Sequence, residues 1–148
     1  MKICKEIMTT DPESCLGSDK VYSVAQRMQS SNIGALPVVE NHNSKKLIGI
    51  ITDRDLAIRV VGASHDATAT QVRAVMTHNP IVCFASDELD TTIEIMARNQ
   101  IRRIPVVDEN GHVIGIISQA DVATRLENQS QAANMLEQIS QSVLEASN

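Results

Sequence analysis

The sequence predicts an α/β (α+β) fold made of two βαββα repeats packed about a pseudo-twofold axis, followed by a C-terminal amphipathic helix. Three observations carry this. Ile7-Met8-Thr9-Thr10-Asp11-Pro12 recurs as Val75-Met76-Thr77-His78-Asn79-Pro80, and Asn32 to Glu40 recurs as Gln100 to Asp108, both 68 positions on. Leu47-Ile48-Gly49-Ile50-Ile51-Thr52 recurs as Val113-Ile114-Gly115-Ile116-Ile117-Ser118 at an offset of 66, the difference falling in the polar stretch Asn41 to Lys46, where a loop tolerates length changes. Within each copy the apolar pattern switches from short β-branched runs to helical spacing.

Each element follows from local pattern. After Pro12 and Pro80 come short strands, Glu13 to Leu16 and Ile81 to Phe84. The stripe Val21, Val24, Ala25 and Met28 then predicts an amphipathic helix, which Leu89, Ile93, Met96 and Ala97 repeat, with Ser18 and Ser86 as expected caps. Strands follow at Leu36 to Val39 with Leu47 to Ile51, and at Ile104 to Val107 with Val113 to Ile117; Asp108-Glu109-Asn110-Gly111 is a hairpin signal. A second helix closes each unit, from about Arg54 to Val61 and from about Ala120 to Leu126. The expected division is 1–62 first repeat, 63–74 linker, 75–126 second repeat and 127–148 tail. In the tail Met135, Leu136, Ile139, Val143 and Leu144 share one helical stripe.

Composition narrows the function. Hydrophobic residues make up 43% of the 148, so the chain is globular. Aromatics stop at Tyr22 and Phe84, which removes base-stacking platforms, and a formal net charge of -5 argues against nucleic acid or an anionic membrane as partner. No apolar run is long enough to span a bilayer, and the N-terminus does not read as a signal peptide. Three scattered cysteines form neither a disulfide framework nor a zinc motif, so a cytoplasmic, reduced protein is expected. Cys15 and Cys83 are equivalent by repeat and conceivable as a pair, although buried inert thiols are commoner. His42, His65, His78 and His112 read as surface residues.

The chemistry concentrates in Gly49-Ile50-Ile51-Thr52-Asp53-Arg54-Asp55 and Gly115-Ile116-Ile117-Ser118-Gln119-Ala120-Asp121. Each places a hydroxyl three residues before a carboxylate at a helix mouth. Two readings stand. The pattern is a capping box that needs no ligand, or its carboxylate accepts the vicinal hydroxyls of a ribose beside a helix N-terminus that favours phosphate. In the second reading Gly49 and Gly115 let a ligand approach the backbone. No nucleophile–base pair or phosphate-cradling glycine loop is visible, and Asp53 and Asp55 lie on different helix faces, so no enzymatic activity is expected.

With Met-Thr-x-x-Pro at its start, a Pro-Val-Val strand and Gly-hydrophobic-hydrophobic-Thr/Ser-x-x-Asp at its end, each unit resembles the cystathionine β-synthase (CBS) domain, and the tandem resembles the CBS pair or Bateman module over Ile3 to Leu126. Asn32-Ile33-Gly34-Ala35-Leu36-Pro37 with Thr52-Asp53-Arg54-Asp55-Leu56 is also similar to small stand-alone bacterial members of the hypoxic-response type. The resemblance implies a regulatory module that binds AMP, ADP, ATP, S-adenosylmethionine or NAD-type ligands in its cleft, associates as a homodimer and regulates another protein. It implies Asp55 and Asp121 as ribose acids with Thr52 and Ser118 as hydroxyl partners. It adds Thr9, Ser14, Ile33 and Gly34 to the Asp121 site, and Thr77, Val82, Ile101 and Arg102 to the Asp55 site. In resembling proteins a basic residue near Arg102-Arg103 faces phosphates, and these two replace Gly34-Ala35 of the first repeat. The Asp121 site is therefore expected to be the stronger nucleotide site, while the Asp55 site has only Arg54 nearby in sequence. The alternative is a ligand-free scaffold that uses the repeats and tail for assembly.

Overall fold

A computed structural model describes residues 1–128 together with Met135 and Glu137. The expected tail helix otherwise lies outside the described residues. A 3₁₀ turn at Cys4–Glu6 leads into β1 (Thr9–Thr10), β2 (Cys15–Leu16), α1 (Val21–Ser31), β3 (Ala35–Val39) and β4 (Leu47–Thr52). The next helix opens with one α-helical turn, α2 (Asp53–Asp55), and widens into a π-helix over Leu56–Val61. The second half follows with α3 (Val72–Val75), β5 (Thr77–His78), β6 (Cys83–Phe84), α4 (Leu89–Arg98), β7 (Arg103–Val107), β8 (Val113–Ser118) and α5 (119–128).

Two four-stranded sheets result, ordered β2-β3-β4-β5 and β6-β7-β8-β1. Each takes its last strand from the other repeat: β1 runs antiparallel to β8, with Thr9 opposite Ile116, and β5 runs antiparallel to β4, with Thr77 opposite Ile50. This exchange is the first departure from the sequence reading, which placed strands after the prolines and none at Thr9 or Thr77. Two residues are too few for a periodic signal, and their partners lie across the repeat boundary.

The strands tolerate their prolines because β2 and β6 are short. Cys15 and Leu16 pair with Val38 and Val39, so the chain is unpaired on that side at Pro37; Pro105 has the same freedom beside Cys83 and Phe84. Each sheet buries its own aliphatic core. Val21, Val24 and Met28 of α1 pack over Leu36, Val38 and Ile51, and Leu89 and Met96 of α4 pack over Ile104, Val106 and Ile117. Ala25 and Ala97, expected on these stripes, are exposed; the narrower stripe in α4 is completed by Thr92, 1% exposed. Its hydroxyl lies 3.1 Å from Cys4 Sγ, which satisfies a polar group inside the core.

Ser18 and Ser86 do not cap the helices. Lys20 and Glu88 occupy the cap positions without side-chain bonds, and the preceding turns are held by Asp19, which accepts from the Leu16 N–H at 2.9 Å, and Asp87, which accepts from the Phe84 N–H at 2.8 Å. The turn at Asp108–Gly111 forms as expected: Gly111 takes φ +82, and its N–H donates to the Asp108 carbonyl.

The cysteines separate by core. Cys15 belongs to the first, whereas Cys83 shares the second with Cys4, so the repeat-related pair does not meet. Burial pushes the Cys15 thiol up to about 12 and raises that of Cys83 as well. All three are free and buried.

Candidate functional site

The repeats differ most where their motifs match best. In the first, Thr52 Oγ1 accepts from the Asp55 N–H at 3.1 Å, and Asp55 Oδ2 accepts from the Thr52 N–H at 2.9 Å. The box is reciprocal, and Asp55 is 8% exposed. Its other oxygen lies 3.8 Å from Arg59 Nε, one turn on, and Arg59 Nη1 donates to the Val75 and Met76 carbonyls at 3.2 Å each. Both carboxylate oxygens thus face protein partners, and Arg59 stands between Asp55 and the strand that begins at Thr77. The sequence reading missed Arg59, although an Asp–Arg pair at i, i+4 carries that signal.

In the second repeat only half of the box forms. Ser118 Oγ accepts from the Asp121 N–H at 3.0 Å, but among the described residues no donor reaches the exposed Asp121 carboxylate. Arg125, which corresponds to Arg59, donates instead to the Glu6 carbonyl at 2.9 Å.

Asp121 and Ser118 open onto a cleft of about 970 Å³. Strand exchange builds its opposite wall. Pairing of β1 with β8 brings Thr9 to the cleft, and Asp11, which takes a left-handed φ of 49, turns the chain so that Glu13 also lines it. Asn32, left-handed at φ 52, ends α1 and directs Ile33, Gly34 and Ala35 into the same space. Arg102 and Arg103 complete it from the start of β7. Of the residues proposed for the Asp121 site, Ser14 is not among those lining the cleft; its neighbour Glu13 is.

The other set is differently placed. Thr77 lies on β5 beside β4, Val82 and Ile101 are half-buried before β6 and β7, and Arg54 is exposed. Arg102 lines the Asp121 cleft.

Gly49 and Gly115 serve packing rather than ligand approach. A Cβ at Gly49 would stand 2.6 Å from Met76 Sδ and 2.8 Å from the Thr77 carbonyl oxygen; one at Gly115 would stand 2.5 Å from Met8 Sδ. The exchanged strands and their methionines fill the space that the missing side chains leave.

Charge around the cleft is mixed. Asp11 pairs with Lys45. Glu13 accepts from Ser31 Oγ at 2.6 Å and Arg27 Nη2 at 3.2 Å, and these bonds, Ser31's foremost, hold its carboxyl below the ordinary value. Arg103 Nη1 reaches Asp53 Oδ1 at 3.2 Å, whereas Arg102 is exposed.

A family model for the CBS domain matches residues 4–62 and again 72–128. The chain belongs to the CBS-domain family. A Bacillus subtilis relative, the uncharacterized protein YlbB, is 34% identical over 137 residues, which cover 93% of this chain and 90% of that one. Among solved structures, the CBS domain pair of protein MJ0100 in complex with 5-methylthioadenosine and S-adenosyl-L-methionine superposes with a TM-score of 0.79 at 26% identity, covering 87% of this chain and 98% of that one. Hypoxic Response Protein I with two coordinated zinc ions gives 0.72 at 26% identity, covering 83% and 98%. The tandem CBS architecture and the likeness to stand-alone CBS pairs of the hypoxic-response type therefore hold. Among the described residues no helix is long and apolar enough to cross a membrane, and no three His, Cys, Asp or Glu side chains cluster as metal ligands.

Proposed function

We propose that this CBS pair is a non-catalytic sensor that binds one adenosine-containing molecule per chain in the Asp121 cleft. CBS pairs are regulatory modules, and MJ0100 carries adenosyl compounds. The observation that carries the reading is the Asp121 carboxylate beside the open cleft, which no described donor reaches, set against the Asp55 carboxylate, which accepts from the Thr52 N–H and lies 3.8 Å from Arg59 Nε. Two vicinal hydroxyls satisfy a carboxylate with two parallel donors, and Ser118 keeps the helix mouth in place. Small apolar walls from Ile33, Ala35, Ile116 and Ala120 suit a purine face, and Arg102 and Arg103 suit a phosphate tail. AMP, ADP, ATP and S-adenosylmethionine are the candidates. Ligand entry favours one arrangement of the repeats, bounded by 1–62 and 75–126 and joined through 63–74, and a regulated protein reads it. Half-exposed Ile58 and more exposed Val61 offer an apolar face for homodimerisation, and three free thiols fit a reducing cytoplasm.

Calorimetric titration against AMP, ATP, 5-methylthioadenosine and S-adenosylmethionine tests this. At least one should bind at one molecule per chain, with binding weakened tenfold or more in Asp121→Ala and kept in Asp55→Asn. Silence across the panel leaves the scaffold reading.

A further inference from the structure

An ion pair joins the repeats at the cleft. Asp53 opens α2 of the first repeat and Arg103 opens β7 of the second, with Nη1 and Oδ1 at 3.2 Å. Gly34 makes the pair possible, because a Cβ there would stand 2.2 Å from Arg103 Nη2 and 2.8 Å from Asp53 Oδ2. The backbone fixes the same spot: the Asp53 N–H donates to the Gly34 carbonyl at 2.9 Å. At the repeat-related positions stand Gln119, whose N–H donates to the Arg102 carbonyl at 2.7 Å, and Ala35 in place of Arg103. Sequence symmetry therefore gives the link no counterpart across the pseudo-twofold axis.

We propose that Asp53 is a built-in competitor for the anionic tail of the ligand: a phosphorylated adenosine compound in the cleft takes the Arg103 guanidinium from Asp53 and so unlocks one repeat from the other. This rests on the adenosine reading above. Arg103 lines the cleft and its side chain is 24% exposed, whereas that of Asp53 is 61% exposed. The exchange moves the guanidinium from one anion to a more highly charged one, so the more buried partner stays paired throughout. Asp53 is released toward water while still accepting the Arg54 N–H at 2.8 Å at a helix start. An adenosine compound without a phosphate leaves the link closed. Asp53 thereby sets both the preference between phosphorylated and unphosphorylated ligands and the coupling of that choice to repeat–repeat geometry.

The test is a titration of the full chain with AMP and with adenosine, on wild type and on Asp53→Asn, which retains an acceptor for the Arg54 N–H. Removing the competing charge should tighten AMP roughly two- to fivefold, the range that a partly exposed ion pair spans, and leave adenosine unchanged. In an Arg103→Met background the same substitution should no longer move the AMP-to-adenosine ratio. Melting curves establish that each variant is folded. An unchanged ratio in Asp53→Asn, or an equal shift without Arg103, overturns the exchange alone. Failure of wild type to bind either compound overturns this inference, and the adenosine reading falls with it only when ATP, 5-methylthioadenosine and S-adenosylmethionine fail as well.

Discussion

Replacing Asp55 with alanine should destabilise the ligand-free protein, and the identical change at Asp121 should not. Loss of the Asp55 carboxylate strips the half-buried Thr52 N–H of its acceptor, now at 2.9 Å, and removes the anion opposite Arg59. An N–H left without a partner costs about 1–3 kcal/mol. The Arg59 contact adds little, because at 3.8 Å that side chain is half-exposed and screened by water. In a chain of this size each kcal/mol lowers Tm by about 2–4 °C, so Asp55→Ala should melt roughly 2–12 °C below wild type. At Asp121 no described donor loses an acceptor, and the change should stay within about 0.5 kcal/mol. Urea denaturation without ligand, followed by circular dichroism, gives both values. Equal losses at the two sites would refute the claim that one carboxylate is structural and the other open.

Three further outcomes follow from the same geometry. Gly49→Ala should cost about 1–3 kcal/mol, since its Cβ meets the Thr77 carbonyl of a paired strand at 2.8 Å, and Gly115→Ala should cost less, because the Thr9 carbonyl stands at 3.1 Å and the flexible Met8 side chain can yield; chemical denaturation of both variants decides the order. Glu13 is held below its ordinary 4.5 by Ser31 and Arg27, so its contribution is present above that value and is lost as pH falls through the lower, folded-state one. The Tm advantage of wild type over Glu13→Gln should therefore shrink on acidification below about pH 4.5, and a constant difference would contradict the assignment. Cys15 and Cys83, buried with raised pKa values, should resist a thiol reagent at pH 8 in the native state and react on denaturation; stoichiometric labelling of folded protein would oppose this.

The repeat, the four long strands and all four main helices were legible because each rests on local periodicity that the duplication displays twice. What escaped depends on contacts between the repeats. Thr9–Thr10 and Thr77–His78 become strands only because each finds the other half's sheet, and Gly49 and Gly115 are glycines because those visiting strands press against them. The Asp121 cluster came from the resemblance to the CBS domain rather than from spacing; Thr9, Ile33, Gly34, Arg102, Arg103 and Ser118 line the cleft with Asp121, whereas Ser14 stands outside it and Glu13 faces it. The non-equivalence of the two acids was not legible from the Thr/Ser-x-x-Asp spacing, which is identical in both. It arises where Arg59 stands 3.8 Å from Asp55 and donates to the Val75 and Met76 carbonyls, while Arg125 reaches the Glu6 carbonyl instead. Asp53 was likewise read only as a neighbour of Asp55, since its partner Arg103 lies 50 residues away.

Comparing adenosine with 2′,3′-dideoxyadenosine by calorimetry, on wild type and Asp121→Ala, addresses the sugar directly. Hydrogen bonds to a charged group are worth about 1.5–3 kcal/mol, so loss of both hydroxyls should weaken wild-type binding by tenfold or more. In Asp121→Ala the two compounds should bind alike. Equal affinities for wild type would mean that Asp121 does not hold a ribose.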